Sequence, residues 1–144
     1  MKNKRLIAYL GISKSNRVHF DKEIESIRKC LSAYSVDLEV FVDKYDFTAE
    51  QEQEMMDLAF DEIERCNIVI VEVSKKAIGV GVEAGYAKAK GKPIIYLRRK
   101  DTAYSTTIGG ASDYKIEYSD RHHLKSELER IIPLLISTPN DSKG

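Results

Sequence analysis

Residues 67–97, NIVIVEVSKKAIGVGVEAGYAKAKGKPIIYL, decide the fold class of this chain. They begin with a β-branched run at 68–73, interrupted only by Glu72, which is typical of a central strand in a parallel sheet. A helical pattern over 82–90 follows, and a glycine and a proline end it. The apolar run 94–97 predicts the next strand, so the segment as a whole predicts a β-α-β unit.

The same alternation of strands and helices extends on both sides of that segment. Further strands are predicted at 6–10, 38–42 and 114–118, and further helices at 20–34, 48–65 and from Asp120 onward. We therefore expect one α/β domain over residues 1–144. It is predicted to be a doubly wound, flavodoxin- or Rossmann-like sheet of about five mostly parallel strands flanked by helices, with a frayed tail at 137–144.

Composition and charge exclude several classes of protein. With 42% hydrophobic and 32% charged residues, the chain is neither collagen-like nor disordered. Its 23 Lys and Arg balance 23 Asp and Glu, so net charge predicts neither a nucleic-acid nor a membrane partner. No apolar stretch is long enough for a membrane span or a signal peptide, and we expect a cytoplasmic protein. Cys30 and Cys66 fall within apolar patterns, which favours two buried thiols over a disulfide.

The loop after the third strand carries the most informative acid. In a doubly wound sheet, functional residues gather at the carboxyl ends of the strands. Gly79 and Gly81 would let the backbone approach a ligand there, and Glu83 is predicted in the first helical turn, where the helix dipole favours an ionised carboxylate. Such a carboxylate is suited to attack an anomeric carbon in glycosyl transfer. Spacing alone favours the alternative, an acid that merely stabilises a helix start.

The loop after the first strand has the composition of a phosphate cradle. Its members are Gly11, Ile12, Ser13, Lys14, Ser15, Asn16 and Arg17. They bring two hydroxyls, two cations and backbone N–H groups to the start of a helix. A solvated basic turn is an equally good explanation of this composition. Ser105 opens a second hydroxyl-rich loop, and the three histidines show no metal-ligand spacing, so neither a metal nor a cofactor is expected.

Five short elements follow one another in a fixed order. They occupy 71–74 (VEVS), 79–83 (GVGVE), 85–87 (GYA), 91–93 (GKP) and 105–110 (STTIGG). This order resembles the nucleoside 2-deoxyribosyltransferase superfamily, and in particular its branch of 2′-deoxynucleoside 5′-phosphate N-hydrolases. The resemblance is close over about a third of the chain.

The resemblance implies a reaction and a set of residues. Glu83 would be the nucleophile that attacks C1′ while the nucleobase leaves. Ser105 would reach the 5′-phosphate from the neighbouring subunit of a homodimer. Ser13, Lys14 and Arg17 stand where relatives carry a phosphate loop. The implied activity is hydrolysis of the base–sugar bond of a (deoxy)nucleoside 5′-monophosphate through a glycosyl-Glu intermediate.

Three family positions are occupied by alanine in this chain. Ala8 stands where relatives hold a catalytic tyrosine, and Tyr9 beside it is expected to point to the opposite sheet face. Ala59 replaces an expected aspartate on the second helix, and Ala77 replaces a phosphate-binding serine. Among the family's catalytic and substrate-binding positions, only that of the nucleophile, Glu83, matches the family pattern fully.

These departures leave two questions open. One is which residue protonates the leaving base, and the other is which reaction the protein catalyses. Asp43 or Asp46, after the second strand, is a candidate donor because of its place at the cleft. The first hypothesis is the N-glycosidase, with water as acceptor. The second is a deoxyribosyltransferase, in which another base intercepts the intermediate. The third, motivated by the alanines, is a nucleotide-binding or sensing module that has lost catalysis.

Overall fold

The computed structural model describes residues 5–136 and contains one parallel sheet. Its strands are β1 (Leu6–Ile12), β2 (Val36–Val40), β3 (Ile68–Glu72), β4 (Ile94–Arg99) and β5 (Tyr114–Tyr118). They lie in the order β2-β1-β3-β4-β5, and every neighbouring pair is parallel. This is the flavodoxin-like order, in which the winding reverses between β1 and β3. The predicted doubly wound α/β class is confirmed.

Helices cover both faces of the sheet. They are α1 (Asp21–Ser32), α2 (Phe41–Lys44), α3 (Glu52–Arg65), α4 (Ile78–Ala89), α5 (Thr106–Ala111) and α6 (Arg121–Ile136). Side chains of α1 and α6 share one apolar layer, and those of α3, α4 and α5 share the other. The tail predicted to fray, 137–144, lies outside the described residues. None of the helices within 5–136 is long and apolar enough to cross a membrane.

The strands alternate between the two layers, as a pleated sheet requires. In β3, Ile68 and Ile70 belong to the α1–α6 layer, whereas Val69 and Val71 belong to the α3–α5 layer. In β1, Ala8 belongs to the α1–α6 layer, whereas Tyr9 belongs to the α3–α5 layer. Because both faces are covered, the central strands read as continuous apolar runs. Both cysteines are free and buried, as predicted, and burial raises the pKa of each thiol to about 11.

The predicted helix starts were right where a capping side chain marks them. Thr48 and Gln51 form the expected capping box before α3. Asp120 Oδ1 accepts the His123 N–H at 2.8 Å in the first turn of α6.

The predicted start of α4 was wrong by four residues, since the helix begins at Ile78 rather than at Val82. Gly79 and Gly81 therefore lie inside the helix and not in a loop. The apolar contacts of Val80 and Ala84 with the sheet layer outweigh the weak helix propensity of the glycines. Residues 105–110, predicted as a loop, form the N-cap and most of α5.

Candidate active site

A cleft of about 270 Å³ opens between the end of β1, the aromatic residues after β2 and the start of α4. It lies beside β1 and β3, where the winding of the sheet reverses and where open α/β sheets usually bind ligands. Its lining is mostly apolar and consists of Ile12, Ser13, Lys14, Phe41, Val42, Tyr45, Phe47, Met55, Met56, Ala59, Ala77, Gly79, Val80 and Glu83. A large apolar cleft with few polar groups is the usual form of a small-molecule site.

Glu83 is the one carboxylate in that lining. It sits in the second turn of α4, only 9% exposed, and Tyr9 donates a hydrogen bond from its hydroxyl to Oε2. Burial raises the pKa of the Glu83 carboxyl to about 7, although the Tyr9 hydrogen bond opposes that rise. The prediction of a carboxylate kept ionised by the helix dipole was therefore wrong: α4 begins earlier than expected, and burial dominates.

Tyr9 is a site residue that the sequence interpretation missed. Its side chain does point away from that of Ala8, as expected, but α4 lies on the Tyr9 face of the sheet. The hydroxyl that reaches Glu83 therefore comes from Tyr9. Burial, followed by the charge of Glu83, raises the pKa of Tyr9 well above its ordinary value. Tyr9 consequently stays a neutral hydrogen-bond donor over the physiological range.

Gly11 allows the Glu83 carboxylate to approach the backbone of β1. A Cβ atom at residue 11 would lie 2.7 Å from Oε1 and 3.4 Å from the carboxyl carbon of Glu83. Any other amino acid at this position would push the carboxylate out of place. Gly11, predicted as a substrate-binding residue, thus lies beside the predicted nucleophile.

Aromatic side chains form one wall of the cleft. The ring of Tyr45 lies 5.2 Å from both Phe41 and Phe47, measured between centroids. The Tyr45 hydroxyl donates to Glu62 Oε2 at 3.0 Å, and Lys44 Nζ donates to the same oxygen at 2.9 Å. These partly buried hydrogen bonds to Glu62 fix the aromatic wall. The sequence predicted a strand over part of this segment, so the helical turn α2 and the wall it builds were not foreseen.

The remaining predicted residues divide into two groups. Ile12, Ser13, Lys14 and Gly79 line the cleft with Glu83, whereas Gly81, Arg17, Asp43 and Ser105 are not in its lining. Arg17 donates from Nε and Nη2 to the Asp43 carboxylate at 2.9 and 3.0 Å, and from Nη1 to Asp21 at 2.7 Å. Asp46, the other candidate proton donor, has a fully solvated side chain, 99% exposed.

Ser105 has a local structural role within its own chain. Its hydroxyl accepts the Ile108 N–H at 3.2 Å as the N-cap of α5. Its own N–H donates to the Tyr96 hydroxyl at 2.8 Å. The role predicted for Ser105 in a neighbouring subunit therefore remains a prediction.

Ala59 and Ala77 present methyl groups to the cleft where the family pattern has polar side chains. Asp57 and Asp61, the nearest acids on α3, are exposed, and Asp61 pairs with Arg65. Residues 5–136 bring no group of three His, Cys, Asp or Glu side chains together that could hold a metal ion. Glu83 is thus the acid of the cleft lining, and Tyr9 is its hydrogen-bond partner.

Comparison with protein families identifies the chain. The model of the family described as nucleoside 2-deoxyribosyltransferase matches residues 9–128, which include the second half of β1, the cleft and the start of α6. The chain belongs to the nucleoside 2-deoxyribosyltransferase family. The family predicted from the five sequence elements is confirmed. Members of this family act on nucleosides or nucleotides.

Solved structures share the fold at low sequence identity. A CMP N-glycosidase, BcmB, from Clostridium botulinum is 20% identical with a TM-score of 0.63, and the match covers 85% of this chain and 98% of that chain. A conserved protein from Enterococcus faecalis V583 is 15% identical with a TM-score of 0.68, over 88% and 99% of the two chains.

A further structural relative is a characterised transferase. The 2-deoxyribosyltransferase from Bacillus psychrosaccharolyticus is 14% identical with a TM-score of 0.65, over 83% of this chain and 90% of that chain. Comparison with curated proteins gave no match. At these identities the structures show a shared fold, and the reaction must be argued from the cleft.

Proposed function

We propose that this protein is an N-glycosidase that hydrolyses the base–sugar bond of a nucleoside 5′-monophosphate. The observation that carries the proposal is Glu83, a buried carboxylate that lines an apolar cleft and is held by Tyr9. Family membership supports chemistry at the anomeric carbon of a nucleoside. The structural likeness to a CMP N-glycosidase from Clostridium botulinum agrees with the choice of a phosphorylated substrate.

In the first step the ionised Glu83 attacks C1′ of the bound nucleotide. An oxygen lone pair forms the C1′–O bond while the C1′–N bond breaks, and its electron pair leaves with the base. Oε1 is the attacking atom in this scheme, because Oε2 already accepts the Tyr9 hydrogen bond. The product of the step is a glycosyl ester of Glu83.

Tyr9 acts as a positioning residue for that attack. By binding Oε2 it fixes the rotation of the carboxylate, so that Oε1 lies beside Gly11 and faces the substrate. Its hydrogen bond also lowers the pKa of Glu83 relative to what burial alone would impose. A larger share of the enzyme therefore carries the reactive, ionised form near neutral pH.

In the second step water attacks C1′ of the ester and releases the sugar 5-phosphate. The C1′–O bond to Glu83 breaks, its electron pair returns to the carboxylate, and the proton of the water goes to solvent. The free base takes up a proton in turn, so the overall reaction consumes one water. Two displacements at C1′ give a product that retains the β configuration when first formed.

The cleft is proposed to hold the base between its aromatic and methionine walls. Phe41, Tyr45 and Phe47 offer ring faces on one side, and Met55 and Met56 offer adaptable apolar contacts on the other. Such walls bind a flat base by stacking. Because Asp43 forms an ion pair outside the lining, the proposed mechanism does not use it to protonate the leaving base.

A homodimer is proposed to complete the site, as the resemblance implied. Ile78 and Val82, four residues apart on α4, are 89% and 43% exposed, and Tyr104 on the segment before α5 is 40% exposed. The proposed second copy covers this apolar surface, and the resemblance implies that its own Ser105 then reaches the substrate phosphate. Ile78→Asp is expected to convert a dimer into a monomer in sedimentation experiments. A wild-type protein that sediments only as a monomer at micromolar concentration would contradict the proposal.

The experiment that tests the function measures base release by chromatography. Ribo- and deoxyribonucleoside 5′-monophosphates are incubated with the wild type and with Glu83→Gln, with and without an added acceptor base. Release that requires Glu83 and needs no acceptor is the expected result. A new nucleotide formed only with the acceptor would identify a transferase instead. No release from any nucleotide, although nucleotides raise the melting temperature, would indicate a binding module.

A further inference from the structure

We propose that Lys75, together with Ser13 and Ser15, binds the anionic group of the substrate, and that Arg17 instead braces the loop. The inference rests on the proposed function, in which that anion is the 5′-phosphate. Lys75, which follows β3, then binds the phosphate, and Arg17 does not.

Hydrogen bonds join three side chains from two adjacent loops, and one of the three lines the cleft. Lys75 Nζ donates to Ser15 Oγ at 2.9 Å, and Ser15 Oγ lies 3.1 Å from Ser13 Oγ. Ser13 belongs to the cleft lining that contains Glu83. Since β1 and β3 are neighbours, the loops that follow them converge at this point. A row of two hydroxyl groups and one ammonium group thus runs from Ser13 in the cleft lining to Lys75 outside it.

Arg17 is not available to an incoming phosphate. Its guanidinium already makes a two-pronged contact with Asp43 and a further bond to Asp21. Its side chain is only 22% exposed, so these contacts are partly shielded from water. A phosphate would have to displace two carboxylates to gain the same bonds. The positive charge of Arg17 is therefore committed to holding the 14–20 turn against the segment after β2.

The ammonium group of Lys14 also has partners within the protein. Its Nζ points back to the carbonyl oxygens of Tyr45 and Val42, at 3.2 and 3.5 Å, and lies 3.8 Å from Asp46. Lys75, in contrast, forms no ion pair within residues 5–136, and its ammonium group donates to the neutral Ser15 hydroxyl. Of these three cations, Lys75 has the charge that no carboxylate offsets.

The position of the cluster suits the substrate. A Cβ at Gly11 would meet the Glu83 carboxylate, and Ser13 lies two residues further along the chain, about 7 Å away in an extended backbone. That span is comparable with the separation of the anomeric carbon and the 5′-phosphate in a nucleotide. The same substrate can therefore reach Glu83 with C1′ and the Ser13–Ser15–Lys75 cluster with its phosphate.

The test compares neighbouring lysines. Lys75→Gln is expected to raise KM for a nucleoside 5′-monophosphate about tenfold or more, because a charge-assisted bond is lost, and to leave KM for the bare nucleoside within about twofold. Lys76→Gln, an exposed neighbour, is the matched control and should change neither value. Lys75→Arg keeps the charge and should largely restore the difference between the two substrates.

A binding measurement separates this inference from the proposed function. Calorimetry on Glu83→Gln, which cannot turn over, measures the affinity for a nucleotide and for its nucleoside with and without Lys75→Gln. A phosphate-dependent affinity that Lys75→Gln removes would support the inference even if no base were ever released. Equal loss of both affinities, or a phosphate preference that survives Lys75→Gln and disappears in Arg17→Gln, would overturn it.

Discussion

Two buried tyrosine–glutamate pairs lie on opposite faces of the sheet, and they differ in how fully each carboxylate is hydrogen-bonded. Glu72 accepts from the Tyr118 hydroxyl at 2.6 Å and from both the N–H and the hydroxyl of Ser74 at 2.8 Å. Glu83 accepts one hydrogen bond, from Tyr9. Burial raises the pKa of both carboxyls, so burial alone does not distinguish them.

The difference lies in what each free oxygen can do. Both oxygens of Glu72 are occupied, and the Ser74 hydroxyl that binds it also accepts the Arg99 N–H at 2.7 Å, which ties the end of β3 to β4. Oε1 of Glu83 has no donor within residues 5–136 and belongs to a side chain that lines the cleft. A saturated buried acid holds the fold together, whereas an unsaturated one beside a cleft is available for chemistry.

Replacing the two acids gives the sharpest contrast and the largest expected effect. Glu83→Gln should lower base release by at least about 10³-fold, because the nucleophile is removed. The folded-state pKa of Glu83, about 7, lies above its unfolded value, so the stability it contributes is present below the unfolded pKa and is lost as pH rises through 7. Glu83→Gln should therefore be as stable as the wild type or more stable at pH 8, measured by chemical denaturation. Retained turnover would remove Glu83 from the mechanism.

Glu72→Ala should lower stability and leave kcat nearly unchanged, which is the opposite of the result expected for Glu83→Gln. It leaves the Ser74 N–H, the Ser74 hydroxyl and the Tyr118 hydroxyl without their acceptor in the core. We expect the free energy of unfolding to fall by roughly 2–4 kcal/mol in urea titrations. The folded fraction should keep a kcat close to that of the wild type. If Glu72→Ala lost kcat while its stability stayed unchanged, the proposed difference between the two tyrosine–glutamate pairs would be wrong.

Crowding the open carboxylate should reduce activity without unfolding the protein. In Gly11→Ala the new methyl group would lie 2.7 Å from Oε1, so Glu83 must rotate or shift. A misplacement of this size is expected to cost about 10²-fold in kcat. Gly85→Ala is the control, since a Cβ there meets nothing within 4 Å. Equal kcat values for the two alanine variants would show that the approach to Gly11 has no catalytic role.

Removing the hydroxyl of Tyr9 should change the dependence of kcat on pH, whereas removing that of Tyr118 should not. The Tyr9 hydrogen bond lowers the pKa of Glu83, so Tyr9→Phe should raise it above about 7. Because Glu83 must be ionised to attack, the rise of kcat with pH should move to higher pH, with about a tenfold loss at pH 7. Tyr118→Phe should lower the melting temperature and leave the pH profile in place. A Tyr9→Phe profile identical with that of the wild type would contradict the positioning role.

The sequence predicted the fold well because its signals are local. The β-branched run of β3, the capping box before α3 and the apolar periodicity of α1 each reside within a short stretch. The start of α4 was misplaced because Gly79 and Gly81 have weak helix propensity, while the burial of Val80 against the sheet is not visible in the segment alone.

The site was less predictable because its contacts join distant stretches of chain. Glu83 could be singled out by the family pattern, but its partner Tyr9 is 74 residues away, on a face that only the placement of α4 defines. The bond between Lys75 and Ser15 and the ion pair of Arg17 with Asp43 likewise cross between loops. Residue type suggested a phosphate loop, whereas the partners of each charge became visible only in the folded chain.

The most direct test of the account is to trap the glycosyl ester. A 2′-fluoro analogue of a nucleotide that is turned over slows the second step, because the fluorine disfavours positive charge at C1′. Acid quenching and peptide mass spectrometry then locate the bound sugar phosphate. We predict an adduct on Glu83 that is absent from Glu83→Gln and never found on Glu72. Stoichiometric base release from the analogue with no adduct on Glu83, or with the sugar phosphate on another residue, would contradict the central claim.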